Sequence, residues 1–204
     1  MKTILSELIQ RYPFLEACET DIWAAFEMLQ ACYERDDMLY LCGNGGSASD
    51  AEHIVGELMK SFAVSRKISE DVRCQLGDNP LAGKLEGALR SLALTGSGSL
   101  ATAFANDVDP DLVFAQQVYG YGRPDDVLWG ISTSGNSKNV LHALKVAKAK
   151  RMFTLGLTGQ HGGAMADLCD VCIRVPEKET YKVQELHLPV YHALCRMLEM
   201  RFFS

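Results

Sequence analysis

The 204-residue sequence predicts one doubly wound α/β domain, a parallel sheet with helices on both faces. Three observations lead there. Five short apolar runs recur along the chain, at 38–42 (MLYLC), 91–95 (SLALT), 126–132 (DVLWGIS), 152–158 (MFTLGLT) and 171–175 (VCIRV). They are apolar on both alternations, as strands buried on both faces are. Helical patterns separate them, supplying the crossovers that parallel strands require. Two of the runs exit into glycine-bearing turns that open helices, and such sheets bind ligands at the carboxyl ends of their strands.

In chain order, two helical stretches come first. Ile22, Ala25, Phe26, Leu29 and Cys32 fall on one stripe of an amphipathic helix. Residues 1–36 are expected to pack into the core or a subunit interface, with 1–204 forming a single domain. Further helices are predicted at 47–60, 111–122 and 137–150, and a long one at 181–203 in which Pro189 implies a kink or a late start. The stretch 63–90 is polar and contains Gly-Asp-Asn-Pro at 77–80. It predicts an excursion with one short helix, either a surface connection or a lid.

Composition narrows the function. Hydrophobic residues make up 48% and charged residues 23%, the balance of a globular protein with a real core. A formal net charge of −6 argues against nucleic acid or an anionic membrane as partner, since both select basic surfaces. No apolar run approaches the roughly 20 residues of a membrane span. The apolar stretch at the start is broken by Glu7, Gln10 and Arg11, so no signal-peptide core is present. The seven cysteines lie mostly in apolar segments, the pattern of reduced thiols in a cytoplasmic protein. Cys169 and Cys172 have redox or zinc spacing but no second pair, so a structural role is expected.

The two glycine-bearing turns read alike. After the first strand comes GNGGSAS, with Asn44, Gly45, Gly46 and Ser47; after the third comes STSGNS, with Ser132, Thr133, Ser134 and Ser137 around Gly135. Free backbone N–H groups and the positive helix end suit a phosphate. Neither turn is a Walker loop, which ends in Gly-Lys-Ser/Thr, and GNGGSA lacks the spacing of the dinucleotide fingerprint. A plain N-cap needs one such residue. Four hydroxyls within six positions exceed that need.

His53 and Glu57 stand at i and i+4, one turn apart on one helical face, just beyond the first turn. Such a pair is often only a solvated contact. Here it follows directly on a candidate phosphate loop, and a carboxylate and an imidazole are suited to moving protons as base and acid.

In order, CGNGGSASDAEH, GEL, FAND, GISTSGNSKNV, LTG and VQELHLPVYH resemble the pattern of the SIS (sugar isomerase) family, most closely its phosphoheptose isomerase branch. The resemblance spans nearly the whole chain. It implies a flavodoxin-like five-stranded parallel sheet and a homotetramer with phosphosugar sites shared between subunits. It also implies conversion of sedoheptulose 7-phosphate to D-glycero-D-manno-heptose 7-phosphate through an enediol(ate). By that resemblance Glu57 is the catalytic base and His192 the acid. Ser47 and the 132–137 loop hold the substrate, and His53, Glu57, Gln184 and His192 ligate one zinc ion. Gln184 and His192 are eight residues apart, about 12 Å along an ideal helix. They meet at one ion only if Gln184 precedes the helix, Pro189 bends it, or two subunits contribute; on spacing alone His187 is a rival ligand.

Three departures from the family pattern bear on the pocket. Ser61 stands where an arginine is usual, with Lys60 beside it offering a point charge in place of a fork. Ser97 stands where a substrate-binding aspartate is usual, and 63–90 is about ten residues longer than usual. These changes allow a different phosphosugar. They also leave an alternative, a non-catalytic phosphosugar sensor or replication-initiation regulator, against which the retained Glu57 and His192 argue.

Overall fold

The computed structural model describes residues 1–204. Five strands form one parallel sheet: β1 (Leu39–Cys42), β2 (Ser91–Ala93), β3 (Val127–Ile131), β4 (Phe153–Thr158) and β5 (Val171–Arg174). Each lies inside the run that predicted it. Their spatial order is β2-β1-β3-β4-β5. The chain steps outward from β1 to β2, then returns past β1 and steps the other way, so the order reverses between β1 and β3. A crevice opens at that reversal, above the carboxyl ends of the two strands.

The helices are α1 (Lys2–Arg11), α2 (Glu19–Glu34), α3 (Gly46–Met59), α4 (Glu70–Leu76), α5 (Gly98–Asp107), α6 (Val113–Tyr121), α7 (Lys138–Ala149), α8 (Gly163–Leu168) and α9 (Thr180–Phe203). Side chains alternate across the sheet as strand geometry requires. Leu39, Leu41, Val127, Trp129 and Ile131 join α1, α2, α3 and α9 in one core. Tyr40, Cys42 and Leu128 join α6, α7 and α8 in the other. The first core holds 32 buried residues against 12, because the N-terminal helices thicken that side.

Two helices differ from expectation. No helix is predicted at α5, whose short apolar stripe of Ala101, Phe104 and Ala105 is only half-buried. Nor is one predicted at α8, whose six residues are too few for periodicity. In α9 the helix runs from Thr180 through Pro189, so the late start does not occur. Proline removes the bond to the carbonyl of Glu185, an exposed residue. No helix is long and apolar enough to cross a membrane.

Residues 63–90 leave and return through a closed base. Lys67 pairs with Glu86 in an antiparallel bridge, and the Gly87 N–H donates to the Arg66 carbonyl at 3.2 Å. Beyond the base, α4 and a 3-10 turn at Pro80–Gly83 bury nothing. Ser61 locks the same base, its N–H and hydroxyl both donating to Glu86 at 2.8 and 2.9 Å.

The base is anchored by a fully buried ion pair. Arg66 Nε donates to Glu199 Oε1 at 2.8 Å, with neither side chain exposed. Glu199 also accepts the N–H groups of Phe62, Ala63 and Val64. The remaining guanidinium nitrogens donate to the carbonyls of Leu58 and Glu57, both at 2.7 Å. Arg66 therefore caps the last turn of α3, where helix carbonyls lack intrahelical partners.

Burial raises the Glu199 carboxyl, but the Phe62, Ala63 and Arg66 bonds outweigh it and hold the group below its ordinary value. Removing one partner strands the other charge, which typically costs about 3–5 kcal/mol. Glu199→Ala is expected to lower unfolding free energy by about that amount in a denaturant titration. Because the folded carboxyl titrates lower than the unfolded one, its contribution is complete above the ordinary carboxylate range. It fades as pH falls through that range and the folded value below it, so the wild-type advantage over the variant should shrink toward acid pH.

Candidate active site

The two loops meet at the crevice. β1 ends at Cys42 and the chain turns into α3 through Gly45, whose φ of +54° is left-handed backbone that favours glycine. β3 ends at Ile131 and the 132–137 loop opens α7. Asn44 and Asn139 join them, each side-chain amide donating to the other's carbonyl oxygen at 2.8 Å.

Neither α3 nor α7 has a side-chain cap. Ser137 precedes α7, yet its hydroxyl lies 2.9 Å from Ser132 Oγ, forming a serine pair in place of a cap. Two uncapped helix ends facing one crevice present the positive ends of both helix dipoles to an anion. Ser134 and Asn44 are exposed, while Ser47 and Ser132 are buried. Thr133 is half-buried and uses its backbone carbonyl to accept the Gly159 N–H at 3.1 Å. Ser97 lies beyond β2 as the residue before α5, and its hydroxyl makes no hydrogen bond to the other loops.

Along α3 the helix carries a polar stripe at Asp50, His53 and Glu57. His53 Nε2 lies 3.1 Å from Glu57 Oε1, and Nδ1 lies 3.0 Å from Tyr191 Oη. Tyr191 Oη also lies 3.3 Å from Asp50 Oδ1. The tautomer with its proton on Nε2 donates to Glu57 and leaves Nδ1 to accept from Tyr191 Oη, so one chain of hydrogen bonds runs from Tyr191 through His53 to Glu57.

His192 stands across this pair, its ring centroid 5.1 Å from that of His53 in an edge-on arrangement. His192 Nε2, Glu57 Oε2 and Asp50 Oδ2 are all buried without a hydrogen-bond partner. Burial, reinforced by His53, holds the His192 imidazole below its ordinary pKa, with Glu57 pulling the other way. It is neutral at physiological pH and free to accept a proton. Burial raises Asp50 against the pull of Tyr191 and His53, and burial with the Asp50 charge raises Tyr191. Lys60 Nζ is the cation nearest the base, 3.7 Å from Glu57 Oε2.

Gln184 lies elsewhere in the subunit. A Cβ on Gly46 would sit 2.5 Å from Gln184 Nε2, so this amide packs against the start of α3 at the anion loop. Gln184 is inside α9, which removes one of the three ways it and His192 could share an ion. His187, the rival on spacing, is fully buried in the core, and burial pushes its imidazole down to about 4. It does not join the His53 cluster. No three His, Cys, Asp or Glu side chains converge on a point that could hold a metal. His53 Nε2 and Glu57 Oε1, 3.1 Å apart, and the unpartnered His192 Nε2 are donor types a metal accepts, but they do not converge on one point in the subunit.

Asp50 and Tyr191 were not singled out from sequence. Both were within reach: Asp50 precedes His53 by three residues, the same helical face, and Tyr191 adjoins His192.

Comparison with known proteins agrees with this architecture. The SIS domain family profile matches residues 6–87 and 79–159. The phosphoheptose isomerase of Synechocystis sp. is 38% identical over 183 residues, covering 90% of this chain and 84% of that protein. That of Desulfovibrio desulfuricans is 42% identical over 176 residues, covering 86% and 74%. Among solved structures, phosphoheptose isomerase from Neisseria gonorrhoeae superposes with a TM-score of 0.77 at 35% identity, covering 96% of this chain and 94% of its own. The Francisella tularensis enzyme gives 0.76 at 29% identity, covering 98% and 96%. A family profile that matches residues 6–87 and 79–159, and relatives of this identity and coverage in sequence and in structure, lead to one conclusion: the chain belongs to the SIS domain family, in its phosphoheptose isomerase branch.

Proposed function

We propose that this aldose–ketose phosphosugar isomerase interconverts sedoheptulose 7-phosphate and D-glycero-D-manno-heptose 7-phosphate. The observation that carries the reading is one helix, α3, that starts at an uncapped anion loop and bears the reactive carboxylate further along. From Ser47 to Glu57 is roughly 15 Å of helix axis, and helical side chains lean back toward the N-terminus. That spacing suits an extended seven-carbon sugar whose phosphate sits between the Ser47 and 132–137 loops, with Asn44, Gly45, Gly46, Thr133 and Ser134 around it. Gln184, against Gly46, and Ser97, beyond β2, complete the proposed wall.

Glu57 removes a proton from the carbon beside the carbonyl and returns it to the neighbouring carbon. His192 carries the matching proton between the two oxygens, so the enediol(ate) forms and collapses with no net gain or loss. Asp50 and Tyr191 hold the His53 ring in the orientation that faces Glu57. A pair of groups in such roles typically contributes 10²–10⁴-fold each. Glu57→Gln is expected to reduce turnover by about that factor, read as loss of solvent deuterium incorporation, while calorimetry still registers phosphosugar binding. Unchanged exchange in the variant would remove Glu57 from the base role.

Zinc enters the proposal through the family resemblance, which assigns it His53, Glu57, Gln184 and His192; in the subunit His53 and Glu57 face each other at 3.1 Å, while Gln184 lies against Gly46. A bound zinc ion would polarise the carbonyl. Support comes from the close approach of His53 Nε2 to Glu57 Oε1 and from the buried His192 Nε2 and Glu57 Oε2, which have no hydrogen-bond partner. Elemental analysis of purified protein should find about one zinc per chain, and His53→Ala should lose it, as removal of one of few ligands does. Equal zinc content in the two proteins would exclude this site. The homotetramer is likewise proposed. His192 opens on a groove of about 350 Å³ between α1 and α9, lined by Ile4, Leu8, Tyr12 and Leu188 as well as Glu185 and Arg196.

A further inference from the structure

Three sulfur atoms crowd one spot on the sheet. A Cβ on Gly156 of β4 would lie 3.0 Å from Cys169 Sγ, Cys172 Sγ and Met165 Sδ alike, so glycine alone leaves room for them. Cys169 is the residue after α8, and Cys172 is in β5, in register with Gly156. Both are free thiols and half-buried, and β5 is an edge strand, so a small oxidant reaches them. The neighbouring Cys169, aided by Arg174, holds the Cys172 thiol below its ordinary pKa, while Cys172 and burial push Cys169 up. Cys172 is thus the better nucleophile of the two.

The other end of α8 touches the serine loop. The Met165 N–H donates to the Gly135 carbonyl at 3.0 Å, and the Ala164 N–H donates to Asn136 Oδ1 at 3.0 Å. A Cβ on Gly135 would lie 1.9 Å from the Gly162 carbonyl oxygen. Met165 therefore bridges the sulfur cluster and the loop, and six residues of helix are all that separate the dithiol from Ser134 and Ser137.

We propose that Cys169 and Cys172 form a reversible redox pair whose disulfide loosens the serine loop through α8. The oxidant is a hydroperoxide. The Cys172 thiolate attacks its outer oxygen, breaking the O–O bond and leaving a sulfenic acid and one water (or alcohol). Cys169 sulfur then attacks the sulfenic sulfur, expelling a second water as the S–S bond forms. Two sulfurs lose one electron each and the two peroxide oxygens gain them. β5 is fixed by its ladder to β4, so the movement that closes the bond falls on Cys169 and the end of α8.

The test needs no substrate, so its outcome is independent of the proposed reaction. Cys74→Ser protein, free of the one exposed thiol, is treated with hydrogen peroxide, and peptide mapping follows the 169–172 segment. The expected result is loss of two hydrogens from that peptide. Amide hydrogen exchange over 132–137 should quicken about fivefold or more, the low end of ordinary coupling between sites. Dithiothreitol reverses both changes, and neither occurs in Cys169→Ser. Should that variant fail to fold, Cys172→Ser serves in its place. A 169–172 peptide that stays reduced at doses that oxidise the methionines overturns the proposal, as does a disulfide that leaves exchange over 132–137 unchanged.

Discussion

The buried pairing of Arg66 with Glu199 is the constraint on which the site depends. Burying either charge alone would be prohibitive. Glu199 is tolerated because three backbone N–H groups and one guanidinium nitrogen converge on it. Arg66 directs its remaining donors to the carbonyls of Glu57 and Leu58. The backbone of Glu57 is thus tied, through one side chain, to the helix that carries His192 two turns before Glu199. Ser61, in the position where the family pattern has arginine, serves the same junction by binding Glu86.

Held this way, the cluster keeps polar atoms that nothing in the subunit satisfies. Glu57 Oε2, His192 Nε2 and Asp50 Oδ2 each lack a hydrogen-bond partner, Glu57 Oε2 having only the more distant Lys60 ammonium, and an unmade bond costs about 1–3 kcal/mol per buried group. A ligand that supplies the missing partners recovers that energy on arrival. Recovery counts toward rate only where the contact is stronger at the transition state than with bound sugar. The two loops at the crevice differ in kind: their donors are hydroxyls and backbone N–H groups at helix ends, where grip matters more than proton affinity.

The sheet was legible because its central strands are apolar on both faces, a pattern that surface loops and amphipathic helices do not share. β1 and β3 are buried throughout, and all five strands fall within the predicted runs. The loops and the His53–Glu57 pair were legible because their chemistry is local in sequence. What escaped notice was set by packing. No spacing rule shows that Arg66, inside a polar surface excursion, is enclosed, since its partner is 133 residues away. Tyr191 needed the α3–α9 contact to acquire a role. The expected lid or connection at 63–90 proved to be a surface arm with an anchored base, and α8 was too short to show a period.

The asparagine bridge between the two loops has a consequence for recognition. Asn139 Oδ1 already accepts from both Asn44 and the Val140 N–H, so its oxygen is saturated. Asn44, exposed at the crevice, keeps one unused N–H and one unused oxygen lone pair. An arriving group meets a donor and an acceptor on the same amide. A fully ionised oxyanion can use only the first; an alcohol can use both. The bridge therefore offers an arriving phosphate one N–H from its outer face, while the amide's free lone pair is left for a hydroxyl of the same ligand beside it.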